Sequence, residues 1–256
     1  MIKIIFFDID GTLLPLKQTQ LSTSLIDALN KLKEKGIKLF LASGRPKFSL
    51  PDFQAVDFDG ALTFNGQHCF DKTQVLYDHP MDPEEVKRIY QNAREMNAAL
   101  TASQLNQLYC DRYDQKMEEY FQIANQKLRF IDDFSSFLEK PIYQMMAAIP
   151  ESLDQELLQD TNKIQIVRWW PYACDLIPAS GGKGKAVKTI LEKYGIQKEE
   201  AMAFGDGGND IEMLKAVGLS IAMGNAVDRV KENCIYTTRP VEEEGVVYAL
   251  KHFELL

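Results

Sequence analysis

The sequence holds few of the residues that build soft-metal sites and disulfide frameworks: four cysteines and three histidines among 256 residues. Cys69, Cys110, Cys174 and Cys234 lie far apart with no Cys-x-x-Cys pair, so free, mostly buried thiols are expected in place of a zinc site. Positive charge is also in deficit. With 29 Lys and Arg against 37 Asp and Glu, the formal net charge is -8 and no Lys/Arg-rich run occurs. That excludes the clustered basic surface that nucleic-acid binding needs. Long apolar runs are absent as well. The N-terminal apolar stretch stops at Asp8, too short for a signal-peptide core or a membrane span. A cytoplasmic protein with no membrane partner is therefore expected. No internal repeat or low-complexity linker appears, and the length suits one large domain or two modest ones.

What is present begins at that same stretch. Ile2 to Phe7, broken only by Lys3, ends at Asp8-Ile9-Asp10-Gly11-Thr12, which reads as a buried strand delivering two carboxylates to its end. Such a pair is costly to hold together unless a cation sits between the two or one keeps a proton. A strand followed by an ordinary polar turn is the competing reading. Next comes a predicted helix, Leu21 to Lys35, with Leu25, Ile26, Leu29 and Leu32 on one face and Gly36 as its stop. Ile37 to Ala42 is a second strand, ending in Ser43-Gly44-Arg45-Pro46. Strand, helix, strand predicts a parallel βαβ unit with a right-handed crossover. Asn65-Gly66, between extended runs from Leu62 to Phe70, predicts a tight hairpin that interrupts the parallel pattern.

Asp82-Pro83-Glu84-Glu85 reads as a helix start, and the texture then changes. Helices near Glu84 to Met96, Tyr113 to Gln126 and Ser152 to Gln159 interleave with strands. The strands are Ala99 to Ser103, Gln107 to Cys110, Tyr143 to Ile149, Lys163 to Trp169 and Ala173 to Ile177. Residues 83–179 thus read as a separate α+β module, of plausible domain size. Ser180-Gly181-Gly182-Lys183-Gly184-Lys185 is a glycine-rich turn running into a helix, Ala186 to Tyr194, closed by Gly195. It lacks the spacing of a nucleotide-binding P-loop, and taken alone Lys183 reads as a solvated turn residue. Ala201 to Phe204 is a third strand, ending in Gly205-Asp206-Gly207-Gly208-Asn209-Asp210 before a helix, Ile211 to Ala216. Strands near Leu219 to Ala222 and Ile235 to Thr238 and a terminal helix from Glu243 complete the layered α/β pattern.

Ligands of open parallel sheets bind beyond the carboxyl ends of the strands. Three predicted strands here end in Asp8/Asp10, Ser43 and Asp206/Asn209/Asp210. Each piece alone also reads as a turn or helix cap. A cap needs one acid, however, and this edge collects four. Four carboxylates with little His or Cys nearby point to a hard divalent cation, Mg²⁺ over zinc.

Asp8-x-Asp10-Gly11-Thr12, Ser43-Gly44-Arg45, Lys183-Gly184 and Gly205-Asp206-x-x-Asn209-Asp210 resemble, in order, the four motifs of the haloacid dehalogenase superfamily. The resemblance is closest to its Cof-type phosphatases, and Phe64-Asn65-Gly66 also resembles their sequence just before the cap. It implies a Rossmann-like α/β core in two parts, residues 1–82 and 180–256, with an α+β cap at 83–179. It further implies a Mg²⁺-dependent phosphatase of small phosphorylated metabolites such as sugar phosphates. By the resemblance Asp8 is the nucleophile forming an aspartyl-phosphate, and Asp10 is the general acid and then base. Mg²⁺ falls to Asp8, the Asp10 carbonyl, Asp206 and Asp210. The phosphoryl oxygens fall to Ser43, Lys183, Asn209 and the backbone of Ile9 and Gly44. Arg45 pairs with an acid of the loop or touches substrate. Arg168, Trp169, Trp170 and Tyr172 invite a substrate-platform reading, with packing preferred for both tryptophans. A phosphomutase with the same intermediate, and a metabolite-binding module without turnover, are the alternatives.

Overall fold

The structure is a computed structural model describing residues 1–123 and 127–256. The first part of the chain runs β1 (Ile4–Phe7), α1 (Thr23–Glu34), β2 (Lys38–Ala42), β3 (Gly60–Thr63), β4 (His68–Asp71) and β5 (Val75–Asp78). The middle part runs α2 (Pro83–Glu95), β6 (Leu100–Ser103), β7 (Leu108–Cys110), α3 (Gln115–Ile123), α4 (Phe134–Phe137), β8 (Gln144–Ala147), α5 (Asp154–Leu157), β9 (Ile164–Trp170) and β10 (Ala173–Pro178). The last part runs α6 (Lys183–Tyr194), β11 (Ala201–Gly205), α7 (Ile211–Lys215), β12 (Leu219–Ala222), α8 (Asp228–Lys231), β13 (Tyr236–Thr237) and α9 (Gly245–His252). The helix expected over Tyr113 to Gln126 is α3, and residues 124–126 lie outside the described residues.

The first and last parts build one sheet in the order β13-β12-β11-β1-β2-β3-β4-β5. It is parallel from β13 to β3, and antiparallel where β3, β4 and β5 pair. β1 is central because both its faces are covered, and Ile4, Ile5, Phe6 and Phe7 are each fully buried. Alternation sends Ile4 and Phe6 to the layer that holds Ala186, Val187 and Ile190 of α6. Ile5 and Phe7 meet Leu25, Leu29 and Leu32 of α1 and Leu250 of α9 on the other face. α1 starts at Thr23, with Ser22 as its cap accepting from the Leu25 amide at 3.1 Å. The middle part forms a second, antiparallel sheet, β7-β6-β8-β10-β9, with apolar clusters of its own. The fold is thus an α/β core with an inserted α+β cap. The two crossings between sheets run side by side, joined where His79 Nε2 meets Ser180 Oγ at 2.8 Å.

The Asn65-Gly66 hairpin is found, with Thr63 opposite His68, but its turn is longer than two residues. Phe64, Asn65 and Gly66 all take left-handed backbone, with φ of 52°, 53° and 91°. Asparagine and glycine tolerate that region, whereas phenylalanine seldom does, so Phe64 gave no warning of it. The four cysteines are free thiols, three of them buried. Among the described residues no helix is long and apolar enough to cross a membrane.

Two glycines separate backbone strain from crowding. At Gly36 (φ +75°) an added Cβ meets nothing within 4 Å, whereas at Gly66 it would lie 2.8 Å from the Gly182 carbonyl oxygen. Gly36→Ala is therefore expected to cost about 1 kcal/mol and Gly66→Ala about 3 kcal/mol. Urea midpoints at constant m-value check the difference, and equal losses would refute the crowding argument.

Candidate active site

The carboxyl ends of β1, β2 and β11 meet at one edge of the core sheet, with Phe7 level with Phe204 on one side and Leu41 on the other. Asp8 follows β1 with its amide donating to the Phe204 carbonyl at 3.0 Å, and the residue is 7 % exposed. Gly11 (φ +89°) turns the chain where an added Cβ would fall 2.3 Å from Asp206 Oδ2, so only glycine lets the two loops touch. There the Thr12 hydroxyl donates to Asp206 Oδ1 at 2.9 Å. Asp210 turns back on its own loop, its Oδ2 accepting from the amides of Asp206 (3.1 Å) and Gly207 (3.0 Å). One carboxylate oxygen from each of Asp8, Asp206 and Asp210 lies within 4.8 Å of the others.

Lys183 corrects the reading made from its local sequence. As the first residue of α6 it is 2 % exposed, not solvated, and its Nζ lies 2.7 Å from Asp8 Oδ1 and 2.6 Å from Asp210 Oδ1. The glycines around it cause this. Gly182 has φ +110°, and a Cβ at Gly184 would lie 2.5 Å from the Glu212 carbonyl, so the helix start can sink against α7. Burial opposes the ammonium charge, yet Asp210 and Asp8 outweigh it and raise the Lys183 pKa. Burial, then the Asp210 charge, hold the Asp8 carboxyl well above the usual range. The same two causes push Asp206 up to about 7.

Asp10 stands apart from this cluster. Both its oxygens accept from Arg45, from Nε at 2.8 Å and Nη2 at 2.6 Å, which makes Arg45 the partner of a loop acid. Ser43, 2 % exposed, accepts from the Arg45 amide at 3.1 Å and keeps its own proton to donate. Asn209 donates to Asn65 Oδ1 at 3.0 Å. A cleft of about 700 Å³ opens over these groups, with Asp8, Asp10 and Arg45 on the core side and Tyr120, Met146 and Trp170 on the cap side.

The model of the haloacid dehalogenase-like hydrolases matches residues 5–250. The chain belongs to that family. Within it the chain is a Cof-type phosphatase, a phosphoric monoester hydrolase. YkrA of Bacillus subtilis is 29 % identical over 258 residues, covering 99 % of this chain and 98 % of that protein. Phosphoglycolate phosphatase of Staphylothermus marinus is 31 % identical over 242 residues, or 94 % of this chain and 93 % of its own. The solved structure of the subclass IIB sugar phosphatase BT4131 superposes with a TM-score of 0.90 at 31 % identity, covering 99 % of this chain and 100 % of that one.

At the seam between core and cap, Gln144, Asp175 and Tyr120 were not singled out from the sequence, and Asn65 only within Phe64-Asn65-Gly66, as a turn former and in the family resemblance. Asn65 donates from Nδ2 to Gln144 Oε1 (3.0 Å) and Asp175 Oδ2 (2.9 Å), both on the cap. Tyr120 donates to the other Asp175 oxygen at 2.7 Å. A lone carboxylate inside the apolar run Ala173 to Ile177 was the available signal, and burial lifts Asp175 to about 6. Arg168 is engaged by Asp154 and by the carbonyls of Ile149 and Ala173, both at 3.0 Å, so it packs the cap. Trp170 packs among Tyr120 and Tyr172 while lining the cleft, and the Trp169 side chain lies outside the described residues.

The raised carboxyls give the cluster a proton to lose. A cation and a proton compete for the same oxygens, so apparent affinity for a divalent metal ion should rise between pH 6 and 8. Binding should then release a net number of protons near pH 7. Calorimetric titration in buffers of different ionisation enthalpy measures that number, and a heat independent of buffer would contradict the shifted carboxyls.

Proposed function

We propose that the protein is a Mg²⁺-dependent phosphatase of small phosphorylated metabolites, sugar phosphates among them, working through an aspartyl-phosphate on Asp8. The observation that carries this is the buried Asp8 carboxylate, set between the Lys183 ammonium and two further carboxylates at the floor of a cleft. The donor set suits a hard cation: hard oxygens alone, mutually repelling, with one lysine among them. Asp8, the Asp10 carbonyl, Asp206 and Asp210 would hold it. When bound, Mg²⁺ lowers the repulsion between the dianionic phosphate and the carboxylates.

The chain's own groups do the rest. An Asp8 oxygen attacks phosphorus, the P–O bond to the leaving alcohol breaks, and Asp10 delivers a proton to that oxygen. Asp10 then takes a proton from water, which attacks phosphorus and releases phosphate and Asp8. Lys183 has two protons engaged by Asp8 and Asp210, leaving its third for a phosphoryl oxygen. Ser43, Asn209 and the backbone of Ile9 and Gly44 would complete the cradle, which acts by position and charge. Arg45 holds Asp10 in place until substrate arrives.

Residues 83–179 serve as the cap, closing over the cleft to exclude water and choose the leaving group, with residues 1–82 and 180–256 as the core. Likeness to a sugar phosphatase supports that substrate class. The free thiols are in keeping with a reducing, cytoplasmic compartment. Release of free phosphate from a hexose phosphate, against an isomerised ester, separates hydrolysis from mutase chemistry.

Activity should vanish in excess EDTA and return with Mg²⁺. Asp8→Asn is expected to abolish turnover of every substrate. Asp10→Asn keeps the nucleophile, so a single-turnover burst of p-nitrophenol from p-nitrophenyl phosphate should survive, because that leaving group needs no proton. Steady turnover should still fall by at least about 100-fold, since Asp10 also serves the second step. A burst from Asp8→Asn and none from Asp10→Asn would show the roles exchanged.

A further inference from the structure

Asn65 occupies a junction that the chemistry just described does not use. It is 1 % exposed, and its backbone is tied to the β2 loop by donation from its amide to the Ser43 carbonyl at 3.0 Å. The preceding Phe64 amide donates to the Arg45 carbonyl at 3.1 Å. Gly44 makes room, since a Cβ there would sit 3.1 Å from Asn65 Nδ2. Both side-chain N–H groups point to the cap: one to Asp175 on β10, the other to Gln144 on β8. The carbonyl oxygen points the other way and accepts from Asn209. Asn209 belongs to the turn in which the Asp206 and Gly207 amides hold Asp210, and Asp210 holds Lys183. The amide cannot be reversed, because Asp175 as a carboxylate only accepts. Tyr143, the neighbour of Gln144, stacks on Phe64 at 5.3 Å, so the cap grips this turn at two successive residues.

We propose that Asn65 is a positioning residue that transmits the seating of the cap to the Asp206–Asp210 turn, with Asp175 as its anchor on the cap. Seated, Asp175 and Gln144 fix both N–H groups and so aim the oxygen that holds Asn209. Unseated, those partners withdraw, the amide is free to rotate, and the turn carrying Asp206 and Asp210 loses an outside support. The left-handed backbone of Phe64 and Asn65 serves this end by directing the side chain across the seam. The proposal rests on the phosphatase reading for its kinetic consequence and not for its structural one.

The test uses the full chain and the variants Asn65→Ala, Asp175→Ala and Asp175→Asn. An asparagine at 175 can still accept from Asn65 while donating to the Tyr120 oxygen, so it is the conservative control. Asn65→Ala and Asp175→Ala should each lower kcat for p-nitrophenyl phosphate at least tenfold with KM changed less than threefold. Asp175→Asn should stay within threefold of the parent on both. The double alanine variant should lose no more than the worse single one, as members of one chain of contacts do. Hydrogen exchange supplies a readout free of turnover: in Asp175→Ala the amides of Asp206 and Gly207 should exchange at least tenfold faster, although residue 175 does not touch them. Unchanged exchange there, additive losses, or a loss in KM alone would overturn the proposal. Faster exchange in a protein that hydrolyses no phosphomonoester would overturn the phosphatase reading and leave the coupling standing.

Discussion

Everything at the edge of the core sheet answers to one electrostatic constraint: three carboxylates held within 4.8 Å, with one ammonium buried among them. At an effective dielectric of 20, two unit charges 4 Å apart interact by about 4 kcal/mol. Lys183 can offset such repulsion for Asp8 and Asp210, which it touches, while Asp206 has the Thr12 hydroxyl. The remainder is taken up by protons, as the raised Asp8 and Asp206 carboxyls show, or by a cation from solution. Lys183 could not be removed alone, since leaving the buried carboxylates it pairs unpartnered costs about 3–5 kcal/mol. Gly11, Gly184 and Gly205 follow from the same need, each keeping clear a space that another chain segment fills.

A second constraint comes from dividing the apolar core. Each sheet has its own clusters, so neither relies on the other to bury its faces. The seam between them is accordingly mixed, with the Phe64–Tyr143 stack beside the hydrogen bonds of Asn65 to Gln144 and Asp175. Polar bonds can exchange for bonds to water at modest net cost, which a dry hydrophobic seam could not do. Motion of the cap over the cleft is thereby compatible with the stability of both parts. The paired crossings, tied by His79 and Ser180, are the covalent links between the two parts.

Local signals account for most of what the sequence revealed. β1 was legible because a central parallel strand is apolar on both faces, and the βαβ start because Leu25, Leu29 and Leu32 recur at helical spacing. The acids were legible because strand ends are where α/β sheets keep their ligands. Lys183 was placed at the site only by the family resemblance, and its burial was not legible, because it depends on Gly184 approaching Glu212, a contact between residues 28 apart in sequence. Asn65 was visible as a turn former and as part of Phe64-Asn65-Gly66 in the family resemblance, but not as a contact to the cap. Its partners, 79 and 110 residues away, belong to a sheet whose docking no local pattern encodes. Arg45 fell between: its place beside a strand end was clear, but its choice of Asp10 needed the loop geometry.

That choice answers the puzzle set by two acids one residue apart. The Asp8 and Asp10 side chains meet different partners, Lys183 for the first and Arg45 for the second. Asp8 goes inward to an ammonium beside two other carboxylates, in surroundings where burial dominates. Asp10 goes to the cleft, half-exposed, with a guanidinium across both oxygens. Identical side chains therefore meet opposite conditions: one is shielded from water and directed at the cleft floor, the other stands where alcohol and water come and go. Division of labour between like carboxylates is ordinarily set by such differences in surroundings and not by the residues themselves. A single strand end can in this way supply both an attacking group and a proton carrier.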